Sequence, residues 1–177
     1  NSDGLQVDDG IGRKRTRTPA EVADTRRSSV PFNKLHLDIV GPFRKVNDRP
    51  QFYVITCICN ATGYALGKPV RSTPVGKDVI DLLSHIFATF HTHPLVLCTD
   101  GGSNLVSGQV TEFLMGYDIL PQVTAKNTSL SNGRIERLHR TMEEYLRSHV
   151  RCDQISYTVF HRTVGEFLRM YNTTPLR

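Results

Sequence analysis

Asp38 sits within a largely apolar run, Leu35-His36-Leu37-Asp38-Ile39-Val40, and this placement restricts the fold more than any other feature of the chain. Side chains of an extended segment alternate between faces, so Asp38 points away from the side taken by Leu37 and Ile39. Burying an unpartnered carboxylate is costly, so the strand must either run along a wet edge or carry Asp38 to a site that satisfies its charge. A second aspartate, Asp100, ends the run Leu95-Val96-Leu97-Cys98-Thr99 and precedes Gly101-Gly102. Ligands gather at the carboxyl ends of strands in α/β sheets, and glycines permit close backbone approach, although Asp-Gly is also an ordinary turn dipeptide. A third acid, Glu136, opens the helical segment Asn132-Gly133-Arg134-Ile135-Glu136-Arg137-Leu138-His139-Arg140. Thirty-five residues lie between Asp100 and Glu136, and sixty-one between Asp38 and Asp100.

The pattern around these acids sets an element order. Lys34–Val40, Phe52–Cys59 and Tyr64–Val70 are rich in β-branched and aromatic residues. Turn formers at Gly41-Pro42, Asn47-Asp48 and Ala61-Thr62-Gly63 separate them, which predicts an antiparallel meander. Thr73 can cap a helix and Pro74 suits its first turn; Val79, Leu82, Leu83, Ile86, Phe87 and Phe90 then recur at helical spacing up to His93-Pro94. A strand at Leu95–Asp100, a short helix at Gly108–Tyr117 and a strand at Ile119–Thr124 follow. A polar loop, Ala125–Ser131, leads to a long helix from Asn132 to Arg151, and a last helix covers Tyr157–Tyr171. The order βββαβαβαα predicts an α/β domain over residues 31–177: a mixed five-stranded sheet, three strands antiparallel and the others parallel, flanked by helices. Residues 1–30 lack apolar periodicity and are expected to form a basic, flexible linker or tail.

A helical wheel, at about 100° per residue, separates the long helix into two faces. Ile135, Leu138, Met142, Tyr145, Leu146 and Val150 form the buried stripe, while Glu136, Arg140, Glu143 and Arg147 share an adjoining flank. One flank can therefore present both a metal-ligating acid and phosphate-binding cations, or else a set of solvated ion pairs. Carboxylates are the hard oxygen ligands of Mg²⁺ and Mn²⁺, and paired divalent ions catalyse in-line displacement at phosphorus.

The net charge of +5 and pI near 9.2 suit a polyanionic partner without requiring one. No run approaches the roughly 18 apolar residues of a membrane span, and the polar N-terminus is not that of a signal peptide. Cys57, Cys59, Cys98 and Cys152 lack metal-ligand spacing and are expected as small buried hydrophobes in a reducing compartment. His91-Thr92-His93 reads as a solvated helix end.

Taken together, His36-Leu37-Asp38-Ile39-Val40-Gly41-Pro42, Thr99-Asp100-Gly101-Gly102-Ser103, Ser131-Asn132-Gly133-Arg134-Ile135-Glu136-Arg137-Leu138-His139-Arg140-Thr141 and Tyr171-Asn172-Thr173-Thr174-Pro175 carry a resemblance. Over about Phe32–Arg177 the chain resembles the catalytic core of retroviral and LTR-retrotransposon integrases, especially the gypsy-type group, within the RNase H-like superfamily. The resemblance implies a D,D,E triad of Asp38, Asp100 and Glu136 holding two Mg²⁺ or Mn²⁺ ions, one between Asp38 and Asp100 and one between Asp38 and Glu136. It further implies a polynucleotidyl transferase and endonuclease that trims element DNA ends and joins them to target DNA. Lys126, Asn132, Arg137, His139, Arg140 and Arg147 are the implied DNA contacts, and Ala125–Ser131 the mobile element over the site. Homo-oligomers, DNA as partner and action in the nucleus, with a cytoplasmic phase, belong to the same expectation.

The chain departs from the family pattern in places. Lys126-Asn127-Thr128-Ser129-Leu130 stands where the family usually has His-Pro, and Glu143 where many members carry lysine. No cysteine precedes Cys57, so an upstream His/Cys zinc module is not expected, nor is a C-terminal DNA-binding module. The chain is thus expected to be a core fragment of a polyprotein or a degenerate element. Two other readings are a non-catalytic DNA-binding or assembly module derived from an integrase, and a related DDE transposase.

Overall fold

The first strand of the meander becomes the centre of the sheet. The computed structural model describes residues 6–8, 14–16, 30–46, 49–102, 105, 107–123, 129–151 and 154–174. The five main strands are β3 (Lys34–Val40), β6 (Tyr53–Cys59), β7 (Ala65–Val70), β8 (Val96–Thr99) and β9 (Leu120–Val123). Their order is β7-β6-β3-β8-β9, with β3, β6 and β7 antiparallel and β8 and β9 parallel to β3. Four helices flank them: α1 (Gly76–Phe90), α2 (Gly108–Gly116), α3 (Ser129–His149) and α4 (Tyr157–Thr173). The mixed α/β architecture read from the sequence is the one observed.

Two pairs of short strands were not anticipated. Within the expected tail, β1 (Gln6–Asp8) and β2 (Lys14–Thr16) pair antiparallel; the rest of residues 1–29 lies outside the described residues. Between the first two meander strands, β4 (Arg44–Val46) and β5 (Arg49–Gln51) form a second small pair around the Asn47-Asp48 turn signal. Both are too short for periodicity to show.

Helix boundaries shift for identifiable reasons. α1 starts at Gly76 rather than at Thr73-Pro74, because the Asp78 carboxylate accepts the Val75 amide at 3.1 Å and satisfies the first turn from within. It stops at Phe90, since His91 adopts a left-handed conformation (φ 51°) short of Pro94. α3 begins at Ser129, so part of the expected loop is helical; Ala125 and Lys126 lie outside the described residues. α4 begins where expected, its Ser156 hydroxyl accepting the Val159 amide.

Each sheet face has its own core. Leu35, Leu37, Ile55, Cys57 and Leu97 pack against α1 and α2 through Val79, Leu83, Ile86, Val110 and Leu114. On the other face Val40, Phe52, Val54 and Ile58 meet Leu138, Met142 and Leu146 of α3 and Phe160, Val164 and Phe167 of α4. The central strand therefore has no wet side: Leu35 and Leu37 face one layer, Lys34, His36, Asp38 and Val40 the other. Cys57, Cys59 and Cys98 are buried, as small hydrophobes should be; Cys152 lies outside the described residues. Among the described residues, no helix is long and apolar enough to cross a membrane.

Candidate active site

Because β3 lies in the middle of the sheet, Asp38 is not an edge residue. Its side chain is 27% exposed and faces α3. Oδ1 accepts the Ile39 amide at 2.8 Å, which fixes the rotamer, and Oδ2 lies 3.8 Å from Nδ1 of His139. The parallel register of β3 and β8 pairs Leu35 with Leu97 and His36 with Cys98. Two residues beyond that last pair come Asp38, in the carboxyl half of β3, and Asp100, the residue after β8 ends, on strands that neighbour each other in the sheet. Adjacent strands lie about 4.8 Å apart, close enough for two carboxylates to share a cation. The Asp100 carboxylate accepts the Gly102 amide at 2.9 Å. Gly101 between them has a φ of +82°, and a Cβ there would come within 2.8 Å of Val123 Cγ1, so only glycine fits this turn without strain.

Glu136 stands on α3 one turn before His139, the residue that touches Asp38. It is exposed, and among the described residues no three His, Cys, Asp or Glu side chains form a metal-holding group. The structure thus carries Asp38 on β3 and Asp100 just past the end of the neighbouring parallel strand β8, and leaves Glu136 exposed on α3.

The other residues singled out by sequence divide clearly. Lys126 lies outside the described residues; Asn132 is helical, with its side chain outside them. Arg137, Arg140 and Arg147 are exposed on α3. Arg147 reaches Glu143 at 3.4 Å, so the acid that stands where lysine was expected is partly neutralised by its neighbour one turn on. His139 behaves differently: it turns inward, its Nε2 2.7 Å from Thr56 Oγ1. Thr56 is fully buried, is the cross-strand partner of Asp38, and donates its hydroxyl to the Asp38 carbonyl at 3.1 Å. Sequence reading missed Thr56, which becomes visible only once the β3–β6 register is known.

Two histidines on this face are held neutral. Burial pushes His139 down to about 4, so its contact with Asp38 is not an ion pair at neutral pH. Burial, helped by the positive charges of Lys34 and Arg134, pushes His36 to about 4 as well. Both values lie below the ordinary 6.5, so between pH 6.5 and 4 the unfolded chain binds more protons than the folded one. Stability is therefore full above pH 6.5 and falls as pH drops toward 4, by up to roughly 3 kcal/mol for each histidine. Urea midpoints measured across this range should fall with acid, and His139→Gln should flatten the decline; an unchanged slope in that variant would contradict the assignment.

Residues 29–129, more than half of the chain, match the family model described as Integrase core domain. The retrovirus-related Pol polyprotein from transposon 412 of Drosophila melanogaster is 26% identical over 157 residues, covering 89% of this chain and 12% of that protein. The transposon Ty1-DR4 Gag-Pol polyprotein of Saccharomyces cerevisiae is 28% identical over 131 residues, covering 72% of this chain and 8% of that protein. The chain thus spans about a tenth of the length of these relatives. In fold it is similar to the HTLV-2 integrase catalytic core domain in complex with magnesium (trimeric form), with a TM-score of 0.60 at 15% identity, covering 84% of this chain and 90% of that one. It is likewise similar to a chain of the simian T-cell lymphotropic virus intasome in complex with PP2A regulatory subunit B56 gamma, with a TM-score of 0.65 at 15% identity, covering 85% and 51%. With the five-stranded mixed sheet, these matches establish that the chain belongs to the integrase core domain family.

Proposed function

We propose that this chain is the catalytic core of a retroelement integrase, trimming DNA 3′ ends and transferring them to target DNA. The observation that supports the reading is the parallel pairing of β3 with β8, whose register runs to His36–Cys98, two residues short of Asp38 and Asp100. Two carboxylates so placed repel each other unless a cation stands between them, and their hard oxygens suit Mg²⁺ or Mn²⁺. Asp38 and Asp100 would hold one ion, Asp38 and Glu136 a second once the long Glu136 side chain turns inward. Bound there, such ions supply Lewis acidity for displacement at phosphorus. The chain itself fixes the two aspartate rotamers through the Ile39 and Gly102 amides and lets a backbone approach at Gly101-Gly102. It binds phosphates through Arg137, Arg140 and Arg147, with Lys126 and Asn132 as further contacts. Assembly as a homo-oligomer on element ends and action on host DNA in the nucleus complete the proposal.

Phosphate contacts of this kind release counterions. Three arginines give a slope near −2.7 in log affinity against log salt, or about a 40-fold loss for a fourfold rise in salt. Fluorescence anisotropy on unrelated duplexes should show that loss with little sequence preference. Affinity that ignores salt would contradict the assignment of these side chains.

The exposed position of Glu136 favours a second reading, a non-catalytic DNA-binding module of the same descent. Joining of a recessed-end oligonucleotide duplex in Mn²⁺ decides between them. Cation-dependent joined product supports the enzyme; a folded chain that binds DNA but never joins it supports the module.

A further inference from the structure

His139 occupies a position that the DNA-contact reading does not explain. Three groups converge beneath α3: the His139 ring, 15% exposed, the fully buried Thr56 hydroxyl and the Asp38 residue on the central strand. Thr56 has one hydroxyl proton. When it donates to the Asp38 carbonyl, which can only accept, Thr56 must accept from His139, so Nε2 carries a proton and the Nδ1 edge of the ring faces Asp38 Oδ2. At 3.8 Å that pair is too long for a hydrogen bond, and the ring edge fills the space beside the carboxylate oxygen. The ring edge therefore acts as a fence. It discourages the carboxylate from swinging toward α3, while the Ile39 amide at 2.8 Å holds the other oxygen.

We propose that His139 is a positioning residue for Asp38: through Thr56 it anchors the aspartate backbone, and through its Nδ1 edge it restricts the carboxylate to the orientation in which it can take a divalent cation. This deepens, and rests on, the reading of Asp38 as a metal-holding residue. Groups that orient a ligating side chain typically alter metal affinity 10–100-fold when removed, about the range expected here.

The test pairs deletion with conservative rescue. Mn²⁺ affinity is measured by calorimetry on the whole chain, with melting temperature without metal as the check on folding and kcat and KM for DNA joining as the second readout. His139→Leu and Thr56→Val are expected to weaken Mn²⁺ binding at least about 10-fold and to lower kcat with KM for DNA unchanged. His139→Gln, whose amide nitrogen reaches the Nε2 position, and Thr56→Ser, which keeps the hydroxyl, should return affinity to within about threefold of wild type. Four outcomes overturn the proposal. Deletion variants that are folded and bind Mn²⁺ like wild type do so, as does a raised KM for DNA at unchanged kcat, which would make His139 a DNA contact. Conservative variants that fold but bind no better than the deletions also do so. A wild-type chain that binds no Mn²⁺ removes the underlying metal-site reading as well, and is thereby distinguished from failure of the positioning role alone.

Discussion

Replacing Asp100 by asparagine is expected to lower DNA strand transfer by at least about 100-fold while the chain stays folded and still binds DNA. Asparagine keeps a side-chain oxygen to accept the Gly102 amide, so the turn at the end of β8 survives. What disappears is the Asp100 charge, and with it, on the proposed reading, most of the affinity for a divalent cation. Asp38→Asn should behave alike, since its remaining oxygen can accept the Ile39 amide. Glu136→Gln separates the two readings of α3: a comparable loss places Glu136 at the site during reaction, whereas retained activity leaves it the exposed helix residue that the structure displays. Circular dichroism and melting temperature check that each variant is folded.

Truncating Phe160 to alanine is expected to remove about 3–5 kcal/mol of stability, a large share of what a domain of this size possesses. Its ring is fully buried, stacked on Phe52 at 5.1 Å and tilted against Phe43 at 5.4 Å. That cluster closes the same sheet face on which α3 carries His139 over Asp38. Losing it should loosen the platform beneath the site as well as α4 itself. Urea denaturation followed by circular dichroism measures the effect; a loss below about 1 kcal/mol would mean that α4 is not packed on the sheet as described.

Much of this architecture is written in residue patterning. The apolar runs around Leu35–Val40, Val54–Cys59 and Val96–Thr99 are long enough to announce strands, and the helical spacing of Val79 to Phe90 and of Ile135 to Val150 announces α1 and α3. The aspartate at the end of β8 was legible because an acid after four buried residues needs a reason to be there. What stayed hidden depended on register and side-chain direction. Thr56 is one threonine among many until β3 and β6 are paired. His139 is a DNA contact only by the family resemblance, which holds no sign of the polar partner beneath the helix; the buried Thr56 hydroxyl draws its ring inward. The late start of α1 beside Asp78 and its early stop at His91 rest on a single local hydrogen bond and a single dihedral, which no periodicity records.

The most direct measurement is an anomalous difference map from crystals of the wild-type chain grown with Mn²⁺. A Mn²⁺ peak in contact with both the Asp38 and Asp100 carboxylates is expected. A well-ordered site with those two side chains resolved, Mn²⁺ in excess and no peak between them would contradict it.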